Sequence, residues 1–128
     1  MIENTLLAKL LKHKMHYTSE RHGIISNNIA NISTPLERTK DLPAFEKTLK
    51  MSSPLFLKLT NPMHMIGKNK IYSYPIIYPV EGTDDKLNGN NISLDNESMK
   101  MNHNTIEHNK AISIYGKMLS LFNIAIGK

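Results

Sequence analysis

The chain has 128 residues, a net charge of +5 and no cysteine. This length fits one domain, and the lack of cysteine excludes disulfides, thiolate nucleophiles and cysteine-based zinc sites. No apolar run approaches the roughly 20 residues that span a bilayer. Charged residues interrupt the N-terminal amphipathic pattern, which is therefore not that of a cleavable signal peptide.

Apolar residues recur at helical spacing near the N-terminus. They predict a first helix that is capped by Asn4 or Thr5, continues to about Ile32 and is stopped by Pro35. Alternating steps of three and four residues form a heptad seam, which is typical of a helix packed on another helix. The seam consists of Ala8, Leu11, Met15, Thr18, His22, Ile25, Ile29 and Ile32.

The segment between residues 34 and 92 has a different character, because prolines and glycines interrupt the helical pattern. We expect a small β-rich or irregular insertion without a large core. Its predicted elements are a short helix at 44–51, extended segments at 55–59, 71–74 and 76–78, and an exposed polar loop at 83–91.

A second heptad seam occupies the last third of the chain. It predicts a helix that is capped by Asp95 and ended by Gly127. The seam consists of Leu94, Ser98, Met101, Thr105, His108, Ile112, Tyr115, Leu119, Phe122 and Ile126.

The two seams predict a mainly α fold in which long terminal helices form an antiparallel, coiled-coil-like pair. The corresponding units are an N-terminal helix at 1–33, a connector at 34–92 and a C-terminal helix at 93–128. If the helix ends are level, His22 lies near His108 and Ile29 near Met101.

Further apolar residues lie outside both seams. One helix pair cannot cover this additional surface, so the chain is expected to bury it against other molecules, including copies of itself. These residues are Leu6, Leu7, Leu10 and Ile24 on the first helix, and Ile106, Ile114, Leu121 and Ile124 on the second.

An unusual string, Ser26-Asn-Asn-Ile-Ala-Asn31 followed by Ser33-Thr-Pro35, ends the first helix. Asparagine is a poor helix former, so these amides are expected to bond carbonyls of a neighbouring helix end or of the connector. Without further context, a polar helix end stopped by proline explains the string equally well. It resembles the N-terminal signature of the flagellar axial proteins, the family of rod, hook and hook–filament junction subunits. The signature residues are Asn27, Asn28, Ile29, Ala30, Asn31, Thr34 and Pro35.

Two further stretches, 59–65 and 88–97, are similar to elements of one of the two proximal rod proteins in that family. The chain departs from the family where Leu36 and Glu37 replace a glycine or asparagine and an aromatic residue. Without glycine, a turn with positive φ is not expected after Pro35.

The resemblance implies a structural subunit of the periplasmic flagellar rod, without catalytic residues, cofactor or metal. It implies export through the flagellar type III apparatus without a cleaved signal. The implied partners are other copies of the chain, the second proximal rod protein, the basal-body adaptor FliE and the export apparatus. Neither nucleic acid nor a small-molecule substrate is implied.

Three other readings explain parts of the sequence. The six histidines suggest a metal enzyme, but no ligand spacing supports it, and His13 and His16 are expected to be solvated. The basic charge suggests a nucleic-acid or membrane-surface binder, but the lysines are scattered. A generic coiled-coil adaptor explains the seams but not the asparagine string.

Overall fold

The computed structural model describes residues 5–51, 74–75, 77 and 85–127. The element order is α1 (Leu6–Ala30), α2 (Phe45–Met51) and α3 (Leu94–Ile126). The two long helices pack against each other, which confirms the mainly helical fold with paired terminal helices. The short helix predicted at 44–51 is also confirmed as α2.

The predicted β-rich insertion is not shown. Most of the proposed extended segments lie outside the described residues. Within the described ranges, the backbone pairing of β type is one isolated antiparallel bridge, in which Asp41 and Ile77 exchange hydrogen bonds of 2.9 and 2.8 Å.

The helix ends follow local capping chemistry. The Thr5 hydroxyl accepts a hydrogen bond from the Ala8 N–H at 3.2 Å, which confirms the predicted cap of α1. The cap predicted at Asp95 is wrong, because α3 begins after Ser93 and Asp95 lies inside its first turn. There its charge is favourably placed at the positive end of the helix dipole. At the other end, Gly127 adopts φ +79° and closes α3.

Side-chain contacts fix the antiparallel register of α1 and α3. Asn104 Nδ2 donates to the Thr18 carbonyl at 2.8 Å, and Thr18 Oγ1 lies 2.7 Å from His108 Nδ1. Lys14 Nζ lies 3.3 Å from a carboxylate oxygen of Glu107. His108 therefore lies opposite Thr18, one helical turn from His22, and the level pairing expected from the sequence is displaced.

The two paired helices differ in length. α3 has 33 residues and α1 has 25. If the observed register continues, Met118 of α3 lies about level with Leu6 at the start of α1. The turns of α3 that follow therefore project beyond the described start of α1. No helix in the described ranges is long and apolar enough to cross a membrane.

The connector folds back along α1. The Tyr17 hydroxyl donates to the Pro43 carbonyl at 2.8 Å, and Leu42 is buried beside this contact. Phe45, at the start of α2, packs against the ring of Tyr17. The connector therefore covers one side of α1 with apolar and aromatic groups.

The turn after Pro35 contradicts the sequence-based expectation, because Leu36 has φ +63°. Its N–H donates to the Asn88 carbonyl at 3.1 Å, which holds it in this conformation. Gly89 faces it with φ +74°, and a Cβ on Gly89 would lie 2.9 Å from Leu36 Cδ2. Gly89, in the segment before α3, thus leaves room for the Leu36 side chain.

Leu36→Gly is expected to raise the free energy of unfolding by up to about 1 kcal/mol. Left-handed backbone costs a residue with a side chain roughly 1–2 kcal/mol, and the greater entropy of unfolded glycine offsets part of the relief. Urea unfolding measures the change. Leu87→Gly is the control, because Leu87 is exposed in the same region without positive φ and should show no gain.

Candidate assembly site

A polar junction joins the end of α1, the connector and the start of α3. Asn28 lies at its centre and has no exposed surface. Its Nδ2 donates to the Lys40 carbonyl at 2.7 Å and to Glu97 Oε2 at 2.8 Å, and its Oδ1 accepts from the Lys40 N–H at 3.2 Å. One amide therefore holds three segments together, and we call this set of contacts the Asn28 junction.

Glu97 brings a charge into the Asn28 junction, since only 1% of its surface is exposed. Its second oxygen, Oε1, accepts from Lys100 Nζ at 2.7 Å. A buried carboxylate is costly unless its charge is paired and its oxygens are hydrogen-bonded. Asn28 and Lys100 together supply both requirements.

Two asparagines just before α3 complete the polar contacts. Asn90 Nδ2 donates to the carbonyls of Asn31 and Thr34 at 3.0 and 2.7 Å, so it satisfies backbone acceptors at the end of α1. Asn91 Oδ1 accepts from the Thr39 N–H at 2.8 Å. The exposed loop predicted at 83–91 is therefore wrong for these two residues, which are both buried.

An ion pair links the connector to the middle of α1. Arg21 donates from Nε and Nη2 to the two carboxylate oxygens of Asp41 at 2.7 and 2.8 Å. Burial by itself raises the pKa of Asp41, but the bonds and charge of Arg21, with the Leu42 N–H, outweigh it and leave the pKa below its usual value. The hydrogen bond to Asp41 likewise raises the pKa of Arg21.

The signature residues take distinct positions. The expectation that their amides bond the connector is confirmed for Asn28, which binds Lys40. Asn31 instead donates to the Asn27 carbonyl at 2.9 Å within the helix end, and the Thr34 hydroxyl donates to Asn31 Oδ1 at 3.2 Å. Ile29 is half-buried, whereas Ala30 and Pro35 are exposed.

The predicted seam residues also divide by burial. Leu11 and Ile25 are buried. Half-buried are Met15, Ile29, Ile32, Met101, His108, Tyr115, Leu119 and Phe122. Exposed are His22, Leu94, Ile112 and Ile126. Their role in assembly stays a prediction.

The deepest stripe of α3 lies one residue before the predicted seam. It repeats every seven residues and consists of Glu97, Asn104, Ala111 and Met118. Three of these four are polar or small, so a search for large apolar residues passes over them. The sequence carries no signal for this stripe, because every helix position recurs at seven-residue spacing and Glu97 and Asn104 are buried through their partners on α1.

The additional apolar surface expected from the sequence is exposed, apart from Ile24, which is half-buried. On α3 these side chains lie on several faces, and on α1 they lie in its first turns, so contact between the two helices alone does not cover them. The exposed large residues of the long helices are Leu6, Leu7, Leu10, Leu94, Met99, Ile106, Ile112, Ile114, Leu121, Ile124 and Ile126.

A half-open cleft of about 280 Å³ lies between α1, the start of α2 and α3. Among the charged residues that line it, Lys14 pairs with Glu107, and Arg21 pairs with Asp41 outside the cleft. The described residues contain no cluster of three histidine, aspartate or glutamate side chains that could hold a metal ion.

His13 corrects a further expectation. It was predicted to be solvated, but it is buried, stacked on Tyr74 and in edge contact with Phe45. Burial, aided by the nearby His16, lowers the pKa of His13. His16 is exposed, as expected.

Asn28→Asp should lower the free energy of unfolding by about 3–5 kcal/mol, because it places an unpaired buried carboxylate against Glu97. Urea unfolding measures the loss. Adding Glu97→Gln should recover part of it, since the new amide can donate to the aspartate. Asn27→Asp, on the exposed side of α1, should change stability by no more than about 0.5 kcal/mol. Equal effects at positions 27 and 28 would contradict the role of the Asn28 junction.

Stability should also depend on the Asp41 carboxylate in acid. Its folded pKa is lowered, so its contribution is complete above the unfolded pKa of about 3.9 and is lost as the pH falls through the folded pKa. Urea midpoints measured between about pH 6 and pH 2 should show this loss. Asp41→Asn should flatten this part of the profile, whereas Asp85→Asn, at an exposed position, should leave it unchanged.

No family model matches the chain. Among curated proteins, the flagellar basal body rod protein FlgB of Buchnera aphidicola subsp. Acyrthosiphon pisum (strain APS) is 31% identical over 102 residues. The matched region covers 77% of this chain and 77% of that protein. This similarity agrees with the resemblance carried by the asparagine string and by the stretches at 59–65 and 88–97. The chain belongs to the family of the flagellar basal body rod protein FlgB.

Proposed function

We propose that the chain is a structural subunit of the flagellar basal-body rod, and that it joins the rod through the outward apolar faces of α1 and α3. Membership of the FlgB family supports the rod role and a non-enzymatic function. The observation that carries the mode of assembly is the exposure of large apolar side chains along nearly the whole of α3.

The residues at the contact between α1 and α3 explain why the apolar surface of α3 stays exposed. Around its middle, α1 meets α3 through Thr18, Asn104 and His108, which bond to each other or to backbone. These contacts fix the register, and the small side chain of Ala111 continues the inner stripe. Many of the larger apolar residues are therefore left exposed on the outside of the pair, where helices from other subunits would remove them from water.

The small core supports export before assembly. In the described ranges the buried apolar residues, with Pro43, number nine, and two of them are alanines. Because each buried large side chain contributes only about 1.5–3 kcal/mol, such a core gives modest stability. We propose that the chain passes unfolded through the flagellar type III apparatus, without a cleaved signal, and becomes fully stable on joining the rod in the periplasm.

The proposed partners are other copies of the chain, the second proximal rod protein and the adaptor FliE. A generic coiled-coil adaptor and a basic-surface binding protein are the alternatives. Neither explains why the asparagine string forms a buried junction with the segment that leads into α3.

Complementation of a strain that lacks its own copy tests the proposal. The unaltered chain should restore rods, seen by electron microscopy of isolated basal bodies. Ile114→Lys with Leu121→Lys should abolish this restoration, because two charges enter one apolar face of α3. Both positions are exposed, so each change should alter the unfolding free energy by no more than about 0.5 kcal/mol.

The matched control is Asn109→Lys with Ser120→Lys, which adds the same charge at exposed polar positions of α3. It should restore rods as the unaltered chain does. Normal rods in the deletion strain would overturn the proposed function. Full restoration by the Ile114 and Leu121 variant would overturn the proposed assembly face.

A further inference from the structure

We infer that copies of this chain contact one another head to tail: the exposed tip formed by Pro35, Leu36 and Leu87 docks on the last turns of α3 of a second copy. We call the first surface the loop-end tip. The second is the α3 overhang, formed by Leu121, Ile124 and Ile126. The inference rests on the proposed function and names one contact through which the rod would grow.

The loop-end tip is an exposed apolar surface. Leu36 is 80% exposed, and Leu87 and Pro35 are also exposed. The hydrogen bond from the Leu36 N–H to the Asn88 carbonyl places Leu36 beside the turn that carries Leu87. Lys86 Nζ donates to the Ile92 carbonyl at 2.8 Å, so the same turn is tied to the segment before α3. The tip is therefore held in place before any partner arrives.

The identity of Leu36 has no sufficient explanation within its own chain. Positive φ is disfavoured for leucine and is easily adopted by glycine or asparagine. The side chain touches Gly89 but leaves four-fifths of its surface in water, so it recovers little of this cost by packing. A strained and exposed apolar residue points to a contact outside the molecule.

The α3 overhang is the complementary surface. Its three residues are 67–70% exposed. They lie in the last turns of α3, beyond the level at which the described part of α1 begins. They present apolar side chains on more than one side of the helix. Such an end can receive a projecting apolar tip.

The two surfaces cannot meet within one molecule. α3 has 33 residues and is about 50 Å long, with the loop-end tip near its start and the overhang at its end. Contact therefore requires two copies. A contact between two different surfaces of the same chain does not close on itself unless the geometry forms a ring, and otherwise it generates an open-ended filament.

Charge selects the head-to-tail orientation over contact between two like overhangs. Residues 5–12 and 115–127, at the overhang end of the helix pair, contain three lysines and no acidic residue. Residues 31–40 and 85–96, around the tip, contain three cationic and three acidic residues. Two basic overhang ends would repel each other. An overhang that faces the tip, where cationic and acidic residues are equal in number, meets no such repulsion.

Disulfide trapping tests the inference, because the chain has no cysteine of its own. Leu87→Cys and Ile124→Cys are made as separate full-length proteins and oxidised alone and as a mixture, up to the solubility limit. The mixture should give a disulfide-linked heterodimer, while each variant alone stays mainly monomeric. A chain with both substitutions should give a ladder of multimers. The mixture of Ser19→Cys, on the exposed face of α1, with Leu87→Cys is the control and should give no ladder or dimer.

Leu36→Gly adds a second readout. It should reduce the heterodimer yield several-fold, and because it is expected to be at least as stable as the unaltered chain, unfolding would not explain the loss. Absence of the heterodimer at every concentration would overturn the inference, as would dimers formed mainly by either single-cysteine variant alone. The trapping uses purified protein and the rod test uses complementation, so failure of this contact and failure of the proposed function are separately visible.

Discussion

The carboxylate of Glu97 sets the arrangement of the two long helices. It is buried in the first turn of α3, where the helix dipole favours a negative charge but the surroundings offer almost no water. Asn28 meets this requirement by donating to Glu97 while both polar atoms of its amide bind the backbone at Lys40. The end of α1, the connector and the start of α3 are consequently fixed relative to one another by a single buried set of hydrogen bonds.

From this junction the helix pair departs from the usual arrangement of apolar interior and polar exterior. Along the contact, Thr18, Asn104 and His108 bond across the pair, and Ala111 fills little volume. Such contacts specify register more strongly than they add stability. Leu11 and Ile25 are buried, but many other large aliphatic side chains of the two helices remain exposed, as the proposed packing against neighbouring subunits requires.

The sequence predicted the features that depend on local chemistry. The two long helices, the short helix α2, the Thr5 cap and the exposed apolar surplus all follow from periodicity and capping preferences. The family could also be identified, because the asparagine string is itself local. Its residues proved to act differently, with Asn28 buried and Asn27 exposed.

Features that depend on contacts between distant segments could not be predicted in the same way. The seam of α3 is rotated by one residue because Glu97 and Asn104 find partners on α1, and no periodicity rule counts polar residues as core. Leu36 takes positive φ because Asn88 and Gly89, far along the chain, hold it there. His13 is buried because Phe45 and Tyr74 supply an aromatic pocket around it.

The contact between Asn28 and Lys40 has a consequence for sequence variation. The hydrogen bonds between Asn28 and residue 40 use only the N–H and C=O of that residue, so they do not involve its side chain. Related chains can therefore carry almost any amino acid at position 40 without losing these hydrogen bonds of the Asn28 junction. Proline is the exception, because it has no N–H to give.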